Sequence, residues 1–101
     1  MASNRKFDIK ETEKGTKLVL YWGKDDKVII PDGITHIGAG AFAYHKELTE
    51  VVIPLGVVKV GMSAFYDCEK LKKVTLSNKT EIGEFAFWGC PPDIAYEYYE
   101  D

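Results

Sequence analysis

The chain repeats itself. Val51 to Lys73, VVIPLGVVKVGMSAFYDCEKLKK, overlies Val28 to Glu50, VIIPDGITHIGAGAFAYHKELTE, after a shift of 23 residues. Ile30-Pro31 falls on Ile53-Pro54, Gly38 on Gly61, Ala41-Phe42 on Ala64-Phe65, and Leu48 on Leu71. A weaker third copy follows. Val51, Ile53 and Leu71 find Val74, Leu76 and Ile94, while Gly83, Ala86-Phe87 and Cys90 arrive one residue early. A period of this length marks stacked supersecondary units, none of which can bury its apolar side alone. The chain is thereby confined to a solenoid whose equivalent residues sit side by side in columns.

Each copy runs through the same sequence of parts. A short extended stretch meets a turn, as at Pro31-Asp32-Gly33, where proline presets φ and glycine accepts a positive one. A second extended stretch stops at glycine, a compact Ala-Phe turn follows, and a polar linker leads on. No segment holds a helical period over the ~10–12 residues that would identify a helix, so the fold class is mainly β. At about 4.8 Å per coil the columns can be written down. Phe42, Phe65 and Phe87 form an aromatic spine. Ala41, Ala64 and Ala86 fit beside it, and Val28/Val51/Val74, Ile30/Ile53/Leu76 and Leu48/Leu71 complete the core. Two outward columns alternate in sign, Lys24/Glu47/Lys70 and Lys27/Glu50/Lys73, which favours this register over one that stacks like charges.

The ends depart from the pattern. Phe7 to Lys10 and Lys17 to Trp22 flank a polar stretch with Gly15, which predicts a β-hairpin covering the first coil. Ser77-Asn78-Lys79 replaces the proline turn, one residue short, with Lys79 expected where Ile34 and Val57 stand earlier. After Pro91-Pro92 comes an acidic, aromatic tail, Asp93 to Asp101, with Ile94, Tyr96 and Tyr98 alternating as in a strand. The expectation is a single domain over residues 1–101: an N-terminal cap at 7–27, about three coils at 28–90, and a C-terminal cap or tail at 91–101.

The pattern quoted as IPLGVVKVGMSAFYDCEKLKKVTL, residues 53 to 76, resembles the BspA-type leucine-rich repeat. The resemblance covers about Val28 to Cys90, and Tyr21-Trp22-Gly23 before it is similar to the segment that opens such arrays. It departs at His45, which stands in the cysteine position, and at the weak third turn. What it implies is a right-handed, slightly curved β-rich solenoid that binds proteins, commonly in adhesion by bacterial surface proteins. It implies no catalytic residue.

The residues themselves offer little chemistry. Gly38-Ala39-Gly40-Ala41-Phe42-Ala43 matches a nucleotide fingerprint in form, but Gly40 corresponds to Ser63 and Phe85 and no crossover helix follows. His45, Cys68 and Cys90 share one column. Three in-line residues do not make the tetrahedron zinc takes, so the cysteines read as buried thiols or, on adjacent coils, as a disulfide. His36 shares a column with Lys59 and Glu81, a solvated face. No catalytic, cofactor or metal site is assigned, and no enzyme activity is expected. A net charge of −3 offers no basic field to attract nucleic acid or an anionic membrane, and no apolar run approaches the ~20 residues of a membrane span.

One surface feature remains. Ala43, Tyr66 and Trp88 lie next to the phenylalanine column, with Tyr44 beside Ala43, and the tail adds Tyr96, Tyr98 and Tyr99. These rings either cover the last coil or form a contact surface, since exposed Tyr and Trp are enriched at interfaces. The candidate interaction residues are therefore Tyr44, Tyr66, Trp88, Tyr96, Tyr98 and Tyr99. The leading expectation is a protein–protein interaction module, with a carbohydrate-binding module or a self-assembling structural unit as alternatives. The expected partner is an unidentified protein or a second copy in a homodimer built on the tail. Met1 to Lys6 leads into no apolar stretch, so no signal peptide is expected. The chain reads as cytoplasmic if complete, and as secreted or cell-surface if excised from a longer protein.

Overall fold

The computed structural model describes residues 6–100; the leader reading of Met1 to Arg5 and the final Asp101 lie outside them. Among the described residues nine strands follow in order: β1 (Phe7–Thr12), β2 (Gly15–Tyr21), β3 (Lys27–Ile29), β4 (His36–Ile37), β5 (Glu50–Val52), β6 (Lys59–Val60), β7 (Lys73–Leu76), β8 (Glu81–Ile82) and β9 (Ala95–Tyr98). They form two sheets, one ordered β1-β2-β4-β6-β8 and the other β3-β5-β7-β9. Among the described residues only the β1–β2 hairpin is antiparallel; the other pairings are parallel and join one coil to the next. Val28, Val51, Val74 and Tyr96 stand opposite one another across the four-stranded sheet. This is the column read from the repeat, extended by one rung.

A third side closes each coil. The Ala-Phe turns are not strands, yet they bond coil to coil: Phe42 N–H to Ala64 O at 2.7 Å and Phe65 N–H to Ala86 O at 2.7 Å. Their rings stack inside. Phe42 and Phe65 lie 4.9 Å apart at 12°, Phe65 and Phe87 5.2 Å apart at 5°. Phe42 and Phe65 are fully buried, as are Ala41, Ala64, Val51, Ile53 and Leu71 within the same core.

The array is longer than the sequence suggests. β2 pairs in parallel with β4, Lys17 opposite His36 and Leu18 opposite Ile37. Tyr21 stacks on Phe42 at 5.0 Å, and its N–H donates to Ala41 O as Phe42 N–H does to Ala64 O. The residues assigned to the N-terminal cap thus include a further rung, and β9 begins another at the far end. The solenoid has about four turns rather than three.

The shortened coil is also corrected in detail. Thr80, not Lys79, takes the inward place of Ile34 and Val57: it is buried, and its Oγ1 donates to Val57 O at 3.0 Å. Its N–H closes the turn on Ser77 O as Val57 N–H does on Pro54 O. Because Glu81 pairs with Lys59, the missing residue lies after Thr80, where the other coils carry Thr35 and Val58. The glycine that ends each second strand is required by close approach. A Cβ on Gly61 would lie 2.8 Å from Ile37 O, and one on Gly83 2.8 Å from the carbonyl carbon of Gly61. The signs of the Lys27/Glu50/Lys73 column are used, with Glu50 within 3.9 Å of both lysines. The Lys24/Glu47/Lys70 column forms no ion pair among the described residues.

Candidate functional site

The third side of the solenoid carries the exposed rings. Two positions flank each Ala-Phe turn, and both are left-handed in every coil. The first holds Gly40, Ser63 and Phe85, at φ 66°, 56° and 58°. The second holds Tyr44, Asp67 and Gly89, at φ 65°, 55° and 81°. Glycine suits such a backbone, whereas a bulky residue is an outlier there. Yet Phe85 and Tyr44 occupy it with side chains turned to solvent, 58% and 63% exposed. Strain of this kind costs of order 1–3 kcal/mol and persists where something else requires the residue.

Between these two positions the outward ring column is continuous. Tyr66 stacks on Trp88 at 5.0 Å and 19°, and Tyr44 meets Tyr66 edge-on at 5.7 Å. Trp88 is 56% exposed and Tyr66 half-buried. Met62, one residue before Ser63, is also exposed. Sequence reading named Tyr44, Tyr66 and Trp88 but missed Phe85; a phenylalanine aligned with Gly40 and Ser63 was the available signal. Trp22 belongs to the same outward column one turn earlier, beside Tyr21, and its Nε1 donates to Asp8 at 3.0 Å.

The tail tyrosines lie elsewhere. Tyr96 meets Phe87 edge-on at 5.7 Å, and its phenol is pushed above the usual range by burial. Tyr99 is half-buried, its hydroxyl donating to Ile53 O at 3.0 Å. Tyr98 follows the Ile53/Leu76 column but stands at the open end, exposed. The structure therefore brings Tyr44, Tyr66 and Trp88 together and keeps Tyr96, Tyr98 and Tyr99 apart from them.

The His45, Cys68 and Cys90 column has a backbone role. His45 Nε2 lies 2.9 Å from Tyr21 O, Cys68 Sγ donates to Phe42 O at 3.1 Å, and Cys90 Sγ donates to Phe65 O at 3.0 Å. Each side chain reaches the carbonyl of the spine residue one turn back. The two cysteines are free thiols. Among the described residues no group of His, Cys, Asp and Glu is placed to hold a metal, and no helix is long and apolar enough to cross a membrane.

These repeat columns coincide with a known pattern. Residues 19–93 match the family described as BspA type leucine rich repeat region (6 copies). The chain belongs to the BspA-type leucine-rich-repeat family. Its fold is also that of a solved relative, a leucine rich cell surface protein from Faecalibacterium prausnitzii, with a TM-score of 0.77 and 26% identity. The match covers 87% of this chain and 27% of that one, so the repeat described here spans about a quarter of the neighbour's length. No curated protein matches. Within this chain the Gly and Ala-Phe positions recur in each coil from Gly38 to Phe87, while the exposed rings at Tyr44, Tyr66, Phe85 and Trp88 differ from coil to coil.

Proposed function

We propose that this repeat is a non-catalytic protein-binding module, used in adhesion at a bacterial surface, and that it meets its partner through Tyr44, Tyr66, Phe85 and Trp88. The observation that carries the reading is the pair of exposed aromatics held at positive φ on either side of a stacked, half-open ring column. Large rings with few rotamers supply contact area at low entropic cost. Membership of a repeat family and likeness to a cell-surface protein support a binding role.

The test compares captured proteins. The intact chain and the Tyr66→Ala, Trp88→Ala double variant are immobilised in parallel, and bound proteins are quantified by mass spectrometry. One or a few proteins lost specifically with the double variant, and kept by a Lys24→Gln control, support the reading. An identical profile from both chains sinks it. A carbohydrate ligand is the second reading, because one face of Trp88 lies on Tyr66 and no ring stacks on its other face among the described residues. Binding of neutral glycans that depends on Trp88, with no protein captured, would select it.

A further inference from the structure

The two sheets treat charge differently. On the four-stranded sheet the outward row alternates, and Glu50 and Glu97 hold Lys27 and Lys73 in ion pairs. On the five-stranded sheet the corresponding row runs Lys10, Lys17, His36, Lys59, Glu81, each opposite the next across all five strands. Directly opposed residues share a face, and like charges opposed in this way are destabilising. Three lysines and a histidine therefore stand in line with one acid, at the far end, where Glu81 lies 3.9 Å from Lys59. The hairpin turn adds Lys14 and Glu13. Together with Thr12, Lys17, His36 and Lys59 they line a groove of about 440 Å³. His36 is fixed there through Nδ1, 2.8 Å from Thr35 Oγ1, so its other edge is the one a ligand meets. This basic face belongs to a chain whose net charge is −3.

We propose that the outer face of the five-stranded sheet binds a linear acidic polysaccharide, one that carries a carboxylate or sulfate on each successive sugar. Charge complementarity selects a polyanion, and spacing selects its kind. The row places Lys17 and Lys59 two strands apart, about 9.6 Å. A pyranose chain advances by close to one strand spacing per ring, so acids that return to the same face on alternate rings meet both lysines. An extended acidic peptide repeats its same-face side chains at about 6.6 Å and drifts out of register. Single-stranded nucleic acid binds by stacking bases on rings. Here the residues that follow the row are Gly38, Gly61 and Gly83, and the exposed rings stand on another side. The proposal concerns a different surface from the aromatic one and does not depend on it.

Calorimetry with polygalacturonate at low salt tests it, with neutral dextran, poly-glutamate and an oligothymidylate as comparison probes. Two variants remove equal charge: Lys17→Gln with Lys59→Gln on the row, and Lys24→Gln with Lys70→Gln away from it. The expected result is polygalacturonate binding that weakens with added salt. It falls roughly tenfold or more in the row variant and stays within about twofold in the other. Dextran does not bind, and the other two polyanions bind more weakly. Absence of polygalacturonate binding overturns the proposal, as does equal loss in both variants. Tighter binding of poly-glutamate or oligothymidylate overturns the assignment to a polysaccharide.

Discussion

Phe65 and Tyr66 are neighbours in sequence with opposite fates. Phe65 is fully buried between Phe42 and Phe87, whereas Tyr66 is half-buried on the outside. Truncating a buried phenylalanine costs about 3–5 kcal/mol, against a total of roughly 5–15 kcal/mol for a domain. Phe65→Ala should therefore lower the urea midpoint severely and Tyr66→Ala only slightly; comparable losses would mean the spine is misplaced. Phe85 makes the converse case. At φ 58° it carries a strain that glycine would not. Phe85→Gly should leave thermal stability unchanged or raise it by up to about 1 kcal/mol, while weakening partner capture. A marked loss of stability would show that the ring is structural. The thiols differ in the same residue-by-residue way. Beside Cys90 and shut away from water, Cys68 is pushed far above the usual thiol range, whereas Cys90 is drawn down by the neighbouring Cys68 thiol and is only half-buried. A disulfide reagent should label Cys90 first and reach Cys68 only on unfolding, since the thiolate is the reactive form. Equal rates in the native state would contradict this.

At the scale of the coil, the glycines divide into two kinds. Gly61 faces backbone atoms of the preceding coil at 2.8–2.9 Å from any added Cβ, so the whole rung would have to move. Gly56 has open space around that point and is not in a positive-φ position. Gly61→Ala should cost about 1–3 kcal/mol, and Gly56→Ala should be neutral or stabilising by a few tenths of a kcal/mol. Denaturant midpoints of the two variants check the pair, and a harmless Gly61→Ala would disprove the close approach. Most of the coil was legible because its constraints recur. Every 23 residues the same small, aromatic or branched side chain meets its own equivalent, and period alone reveals the columns. What escaped was whatever the period does not control. Tyr21 was hidden because a tyrosine at the end of a hairpin strand lacks the Gly and Ala that mark the later spine rings. Thr80 was hidden because its hydroxyl is satisfied by Val57 O, which lets a polar residue fill an apolar column. The basic row was hidden because Lys10 and Lys17 join it through the hairpin, whose antiparallel register has a bulge between Asp8 and Ile9.

For the molecule as a whole, the ends decide whether so short an array holds. Six rings run through it, from Phe7, tilted on Tyr21 at 5.1 Å, to Tyr96, edge-on to Phe87 at 5.7 Å. Stability in a solenoid is a sum of coils and the interfaces between them, so a terminal coil without a cover loses half its interface. The tail supplies that cover at the C-terminal end. β9 lies on β7 from Lys73 to Leu76, Ile94 packs against the core, and Tyr99 reaches back to Ile53 O. Ending the chain after Cys90 would uncover Val74 and Leu76, now buried, and leave the β7 edge unpaired. An unpaired apolar edge templates association. The shortened chain should melt at a lower temperature and sediment as larger, concentration-dependent species, whereas the intact chain should do so less. A tail that joined two copies would act in the opposite sense, because removing it would convert a dimer into a monomer. Sedimentation velocity of both chains over a range of concentration thus separates an intramolecular cap from a dimer contact by the direction of the change. Unaltered melting and sedimentation after truncation would rule out both roles.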